Sequence, residues 1–173
     1  MSQTLVQALT NCNIYVNGVG FIGRAAEVEV PHPKQKLVDY KGLGMAGSLK
    51  LWAGVEALEA QIKWSSYDAA AIGLAAMPFK AQQFQVRGSL MQQGSNGVSA
   101  ELPVIYLMTG AFHDGGKAAF KQHEMVETTS MINVTHTELY IAGAQVYLFD
   151  AFANIYVVNG VDQLAQFRSN IGG

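Results

Sequence analysis

The chain has 173 residues, of which 24 are charged, 11 Lys and Arg plus 13 Asp and Glu, where an ordinary soluble domain of that length carries about 43. Half of its residues are hydrophobic, enough for one core over the whole of 1–173 as a single domain, which excludes intrinsic disorder. A net charge of −2 excludes tight nucleic-acid binding by phosphate neutralisation, and a lone cysteine, Cys12, excludes both a disulfide framework and a paired-cysteine metal site.

Residues 1–13 have no basic stretch leading an apolar one, and nowhere do 18 apolar residues run together. The expectation is a chain with neither a classical export signal nor a membrane span. Hydrophobic period 2 dominates over 3.6, so the fold class is mainly β. Segments 13–17 (NIYVN) and 20–30 (GFIGRAAEVEV) read as strands joined at Asn17-Gly18, a dipeptide that supplies positive φ for a tight hairpin turn. Residues 31–55 alternate with nothing and hold two Pro, four Gly and four Lys against one Asp. They read as a long projecting loop, a length that usually carries a task.

Beyond it, 58–64 (LEAQIKW) places Leu58, Ala60, Ile62 and Trp64 on one face and Glu59, Gln61 and Lys63 on the other, a half-buried strand. Ser66-Tyr67-Asp68 can cap a short Ala-rich helix through Ala75, stopped by Pro78. It is the one helix expected to flank the strands. Segment 83–90 alternates as 58–64 does, 101–109 is apolar on both faces, and 145–149 and 154–159 are short β-rich runs between turn residues. Residues 124–141 lack Gly and Pro and read as one strand of about 18 residues, roughly 60 Å long. That outgrows a lone small domain unless the strand bends, bulges or joins a neighbouring subunit's sheet. The C-terminal arm, 161–173, fits a short helix or an irregular extension.

Gly18-Val19-Gly20-Phe21-Ile22-Gly23 spells a dinucleotide-binding GxGxxG, with Asp39 downstream where a ribose-binding acid would sit. That site needs a helix opening at the third glycine, and 25–30 alternates with period 2 before Pro31, so the glycines are read as a hairpin. His32, His113, His123 and His136 are scattered without metal-ligand spacing, and His113-Asp114 beside Gly115-Gly116 reads as a turn tip. Glu27 and Glu29 share a strand face, as an acid/base pair would, but read as its solvated side. The serines lack a nucleophile-elbow setting and Cys12 lacks a neighbour that would lower its pKa. No catalytic, metal-binding or cofactor-binding constellation is expected.

Charge is sorted by sign. Between 125 and 162 every formal charge is acidic (Glu127, Glu138, Asp150, Asp162), whereas 31–55 is basic through Lys34, Lys36, Lys41 and Lys50. Head-to-tail self-association, a basic loop meeting an acidic edge of the next copy, would use that separation.

The run Asn13-Ile14-Tyr15-Val16-Asn17-Gly18, then Glu27-Val28 to Pro31, then Tyr40-Lys41-Gly42-Leu43-Gly44-Met45-Ala46-Gly47, resembles the major tail tube proteins of contractile-tailed bacteriophages and R-type pyocins. Asn159-Gly160-Val161-Asp162-Gln163-Leu164, with Arg168 and Ile171-Gly172, is similar to the same family's ending. The resemblance implies a β-sandwich or barrel-like subunit with a flanking helix, six copies closing a ring through an inter-subunit β-barrel. It implies rings stacked into the inner tube of a virion tail, assembled in the host cytoplasm. It further implies partners in the tail sheath, tape-measure, baseplate and tube-terminator proteins, transient non-specific contact with double-stranded DNA, and no small-molecule ligand. The loop, with Lys34, Lys36, Tyr40, Lys41, Gly42, Gly44, Met45, Gly47 and Lys50, would reach an adjacent ring. Asn17, Gly18, Asn159, Gly160, Val161, Asp162 and Arg168 would form the family's turns and C-terminal arm.

DNA passage favours an acidic or neutral lining, since Lys and Arg would hold the duplex by counterion release. Glu127 and Glu138 are the candidates for the lumen, although in an unbroken strand their odd separation puts them on opposite sides. Two other readings stay open: a monomeric β-sandwich binding module, and a dinucleotide-binding enzyme. The charge-free stretches 102–112, 139–149 and 151–161 coincide with the strand-rich parts, as expected of surfaces covered by neighbours in an assembly.

Overall fold

The computed structural model describes residues 5–77 and 79–172; Pro78, the expected helix stop, lies outside them. The chain is mainly β. Its strands are β1 Val6–Val16, β2 Val19–Gly20, β3 Ala25–Glu29, β4 Gln35–Tyr40, β5 Leu49–Val55, β6 Leu58–Trp64, β7 Gln82–Gly94, β8 Gly97–Asp114, β9 Thr128–Ile141, β10 Ala144–Asp150, β11 Ile155–Val158 and β12 Val161–Asp162. The helices are α1 Ala69–Ala75 and α2 Ala165–Ile171. Among the described residues there are thus two helices, the expected flanking one and a second in the C-terminal arm, which takes the helical of its two expected forms. Strands β12-β11-β10-β9-β8-β7-β1-β2 lie side by side in one antiparallel sheet, β6 adds to β9, and β3 adds to β6. Among the described residues the sheet does not close on itself; that strand order ends at β12 and β2.

Several strands form where alternation and turn chemistry agree. Asn17 and Gly18 have φ of 49° and 81°, and Asn159 and Gly160 have 49° and 79°, the double positive φ of a two-residue hairpin. They return β1 into β2 and β11 into β12. The expected strand 20–30 is two pieces: β2 ends at Gly20, residues 22–24 turn, and β3 leaves β1 to pair with β6. Phe21, at that corner, is buried with its ring 5.4 Å from Trp64. This buried aromatic pair packs where the chain turns from β2 to β3.

The core lies on one side of the sheet. Ile14, Val16, Phe84, Tyr106, Met108, Phe112, Ile132, Tyr147 and Phe149 point there, together with Leu58, Ala60, Ile62 and Trp64 of β6. Each large side chain so buried contributes about 1.5–3 kcal/mol. Trp64 Nε1 donates to Ser130 Oγ at 3.1 Å, so its polar atom does not go unpaired. Asp68 caps α1 by accepting from Ala70 N–H at 2.7 Å, as the sequence predicts.

The longest strand is β8, 18 residues, and not the expected 124–141: β9 begins only at Thr128 and is interrupted. Its first part, 128–134, pairs with β6, and its second part, from His136, pairs with β10. Thr135 is the extra residue between the two, where the register against β8 also shifts. The buried positions accordingly change from Thr128, Ser130, Ile132 and Val134 to Thr137. A one-residue bulge flips the alternation, and here it lets one strand change partners. β8 and the segment just after it lie close against β9: a Cβ on Gly110 would strike the Asn133 carbonyl, and one on Gly116, beyond the end of β8, the Thr129 carbonyl.

Candidate functional site

The side of the sheet opposite the core is polar. Tyr15 of β1, Gln83 and Gln85 of β7, Leu107 and Thr109 of β8, and His136 and Glu138 of β9 line a groove of about 340 Å³ across it. His136 stands between two carboxylates, Nε2 at 2.8 Å from Glu138 Oε1 and Nδ1 at 3.0 Å from Asp150 Oδ2. Both contacts are hydrogen bonds only when both ring nitrogens carry protons. Tyr140 donates its hydroxyl to Glu138 Oε2 at 2.5 Å, and Gln145 Nε2 donates to Tyr140 Oη at 3.0 Å. Asp150 Oδ1 in turn accepts from the Phe152 and Ala153 N–H groups, which ties the turn after β10 to the cluster.

Partial burial pushes the Glu138 carboxyl up, but the bonds from Tyr140 and His136 outweigh it and hold it below the ordinary carboxylate range. Asp150 is held low in the same way, burial being outweighed by the Ala153 N–H and His136. Tyr140 is pushed up, chiefly because its proton is bonded to Glu138. The sequence reading does not group His136, Glu138 and Tyr140. The signal existed, since His136, Glu138 and Tyr140 sit at alternate positions of one strand.

Glu127 lies one residue before β9 and pairs with Lys63 of β6 at 3.1 Å. Lys63 is on the exposed side of β6, so Glu127 and Glu138 come out on the same side of the sheet. The expected opposition is corrected by the Thr135 bulge, which restores the odd count to an even one.

The segment 31–55 is not an irregular loop: β4 and β5 form a separate two-stranded sheet, with Leu37 opposite Trp52, Val38 opposite Leu51, Asp39 opposite Lys50 and Tyr40 opposite Leu49. Lys34 closes its base through an ion pair with Glu56 at 2.7 Å. Lys36 and Tyr40 lie on β4 and Lys50 on β5, while Lys41, Gly42, Gly44, Met45 and Gly47 form the tip. There Met45 N–H donates to the Gly42 carbonyl at 3.2 Å and Gly44 takes φ 81°. The segment before the hairpin is anchored by Tyr106, which donates to the Pro31 carbonyl, and by His32 Nδ1, 3.0 Å from the Tyr147 hydroxyl. Burial pushes both tyrosines' pKa up.

At the C-terminal arm, Asp162 Oδ1 accepts from Leu164 N–H at 2.9 Å ahead of α2, and Asp162 Oδ2 pairs with Arg168. Arg168 also donates to the Asn154 carbonyl at 2.8 Å. The guanidinium holds the Asp162 carboxyl below its usual range. Val161 is exposed beside it. All four acids of 125–162 thus have partners in their own chain: Glu127 with Lys63, Glu138 and Asp150 with His136, Asp162 with Arg168.

The glycine-rich run does not open a helix. Gly18 turns the first hairpin and Gly23 takes φ 72° in the turn ahead of β3. Among the described residues no group of three or more His, Cys, Asp or Glu side chains is placed to hold a metal ion. Cys12 is exposed on β1. No helix of the described residues is long and apolar enough to cross a membrane.

The profile of the family described as "Phage tail tube protein FII" matches residues 6–172. The tail tube protein of Escherichia phage P2 is 30% identical over 169 residues, covering 92% of this chain and 94% of that protein. A chain in the six-fold symmetrised cryo-EM structure of the anti-feeding prophage (AFP) baseplate is similar at 11% identity and a TM-score of 0.44, covering 81% of this chain and 94% of that one. The match runs from the first described strand to the end of α2, and on it the chain belongs to the phage tail tube protein FII family.

Proposed function

We propose that the chain is the structural subunit of the inner tube of a contractile phage tail or a phage-derived particle, with six copies closing a ring and rings stacking into a conduit for double-stranded DNA. The observation that carries this reading is the edge of β1. Among the described residues only Tyr15 and Val16 pair with β2, so from Val6 to Asn13 one side of the strand has no described neighbour. Leu5, Val6 and Leu9 are exposed along it. A long apolar edge left open is an aggregation hazard, and ring closure that pairs every edge removes it.

The polar side of the sheet suits a lumen. Among the described residues the Lys and Arg side chains on its strands are engaged, Lys63 by Glu127 and Arg87 over the Tyr15 ring at 5.7 Å. Phosphates would find no free row of Lys and Arg to displace counterions, so the duplex would slide rather than bind. The hairpin β4–β5, with its lysines and tip glycines, would reach the adjacent ring. Sheath, tape-measure, baseplate and terminator proteins would meet the outer wall and the two ends of the tube in the virion tail, after assembly in the host cytoplasm. The role is structural, with no catalysis, cofactor or small-molecule ligand. Negative-stain microscopy of the purified protein tests the reading: rings or tubes with a pore of nanometre width support it, and a binding module would stay monomeric.

A further inference from the structure

Asp150 ends β10 opposite His136, and while one of its oxygens meets the ring, the other accepts from the Phe152 and Ala153 N–H groups of the turn that follows. That turn has further ties. Ala151 N–H donates to the carbonyl of the bulged Thr135 at 2.9 Å, and Arg168 of α2 donates to the Asn154 carbonyl at 2.8 Å. Asp150 and Asn154 also line a cavity of about 200 Å³ with Trp52 and Val55 of β5 and Phe167 of α2. On the polar side of the sheet, Tyr140 and Gln145 hold Glu138, the second carboxylate at the ring. One imidazole therefore bridges the polar side to α2 and the root of the hairpin β4–β5.

The bridge depends on one proton. With both nitrogens protonated, His136 donates to Glu138 and to Asp150; either neutral tautomer turns a lone pair toward one of the two carboxylates and cuts the bridge there. The groups that face the ring from neighbouring strands do not replace that proton. Thr109 and Leu107 of β8, Gln83 and Gln85 of β7 and Tyr15 of β1 add no charge beside it, and Arg87 lies over the Tyr15 ring. On β6, Lys63 is paired with Glu127, and Glu59, opposite Asn133, adds another acid on that side. Arg168, beyond the turn, is paired with Asp162.

We infer that His136 is a proton-operated catch: its doubly protonated form fastens the turn 151–154, and through it α2 and the hairpin root, to the polar side of the sheet, and loss of one proton releases the turn. The fastened form carries one proton more than the released form, so it is favoured as pH falls and is lost as the imidazole titrates on the way up. At the acid end it is lost again when Glu138 and Asp150 take up protons, below the ordinary carboxylate range because both are held low. The catch is closed within a window of pH and open on either side. Every contact in it lies within one chain, so it does not depend on ring assembly.

The test is hydrogen–deuterium exchange of the full chain between about pH 5 and pH 8, the range in which histidines change charge, read by mass spectrometry and corrected for the intrinsic pH dependence of amide exchange. In wild type the protection of 151–154 is expected to fall several-fold across that range, with 165–171 following. Two variants are expected to show no such step: His136→Gln, whose amide does not titrate, and Asp150→Asn, which keeps an oxygen for the Phe152 and Ala153 N–H groups but offers the ring no charge. Should one of them fail to fold, the other still decides. A wild type without the step overturns the inference, as does a step that survives in either variant, since it would then belong to another group. A step in 151–154 with none in 165–171 overturns the link to α2.

Discussion

Glu127 and Glu138 leave the sheet on the same side although an odd number of positions separates them, because Thr135 is bulged out of register between them. The bulge also hands β9 from β6 to β10, so one extra residue both branches the sheet and gathers carboxylates on its polar side. In the tube reading that side faces the DNA. Charge reversal by Glu138→Lys places a cation where the lining has only engaged ones, and is expected to slow DNA ejection from the virion. Normal ejection kinetics in that variant would take Glu138 off the lumen.

The His136 clamp predicts a pH dependence. Glu138 and Asp150 have folded pKa values depressed below their ordinary 4.5 and 3.8. Their contribution to stability is therefore present above those values and is lost as pH falls through the depressed ones. His136→Ala removes part of the depression and leaves the carboxylates half-buried, at a cost of roughly 1–2 kcal/mol in mildly acidic solution. Circular dichroism during acid titration is expected to show the variant unfolding at higher pH than wild type. Superimposable titrations would mean the clamp contributes nothing.

Gly110 and Gly116 are predicted to be intolerant of a methyl group, since each Cβ would strike a backbone carbonyl of β9 rather than a side chain that can move away. Gly110→Ala is expected to cost about 1–3 kcal/mol in urea denaturation. Gly116→Ala adds the strain of φ 80° to the clash. Gly47→Ala, with open space around it and no positive φ, serves as the control and should stay within about 0.5 kcal/mol of wild type.

Asp68 carries two loads at one corner, the N-cap of α1 and an ion pair with Arg24 at 2.8 Å. Asp68→Ala is expected to cost about 1 kcal/mol, nearly all of it from the cap, because the Arg24 pair is partly exposed. Arg24→Gln alone should then change the melting temperature little. Equal losses from the two variants would assign the stability to the ion pair.

What could be read from the sequence follows burial. β6 shows clean alternation because one of its faces is wholly in the core, and Asp68 announces α1 because capping chemistry is local. Asn17-Gly18 and Asn159-Gly160 announce their hairpins for the same reason. By contrast β4 and β5 carry apolar residues on both faces and bury neither, which leaves no period to detect. The first half of β1 is exposed and is ordered only by pairing with β7, a long-range partnership that its own residues do not encode. A bulge in 124–141 follows from its length, but its place at Thr135 is not legible because the segment is rich in β-branched residues on both parities, so a slip of one leaves the pattern intact. Glu127 and Glu138 can be picked out from the sequence as the acids of this stretch, but the contact of His136 with Glu138 is a matter of fold and came from the structure.

Cryo-electron microscopy of the purified chain at high concentration, averaged without imposed symmetry, tests the central claim most directly. The account predicts six-fold rings stacked into tubes, with β1 of one copy paired to a neighbour's strand and Glu138 on the inner wall. Particles that remain monomers, or rings in which the β1 edge stays open to solvent, would contradict it.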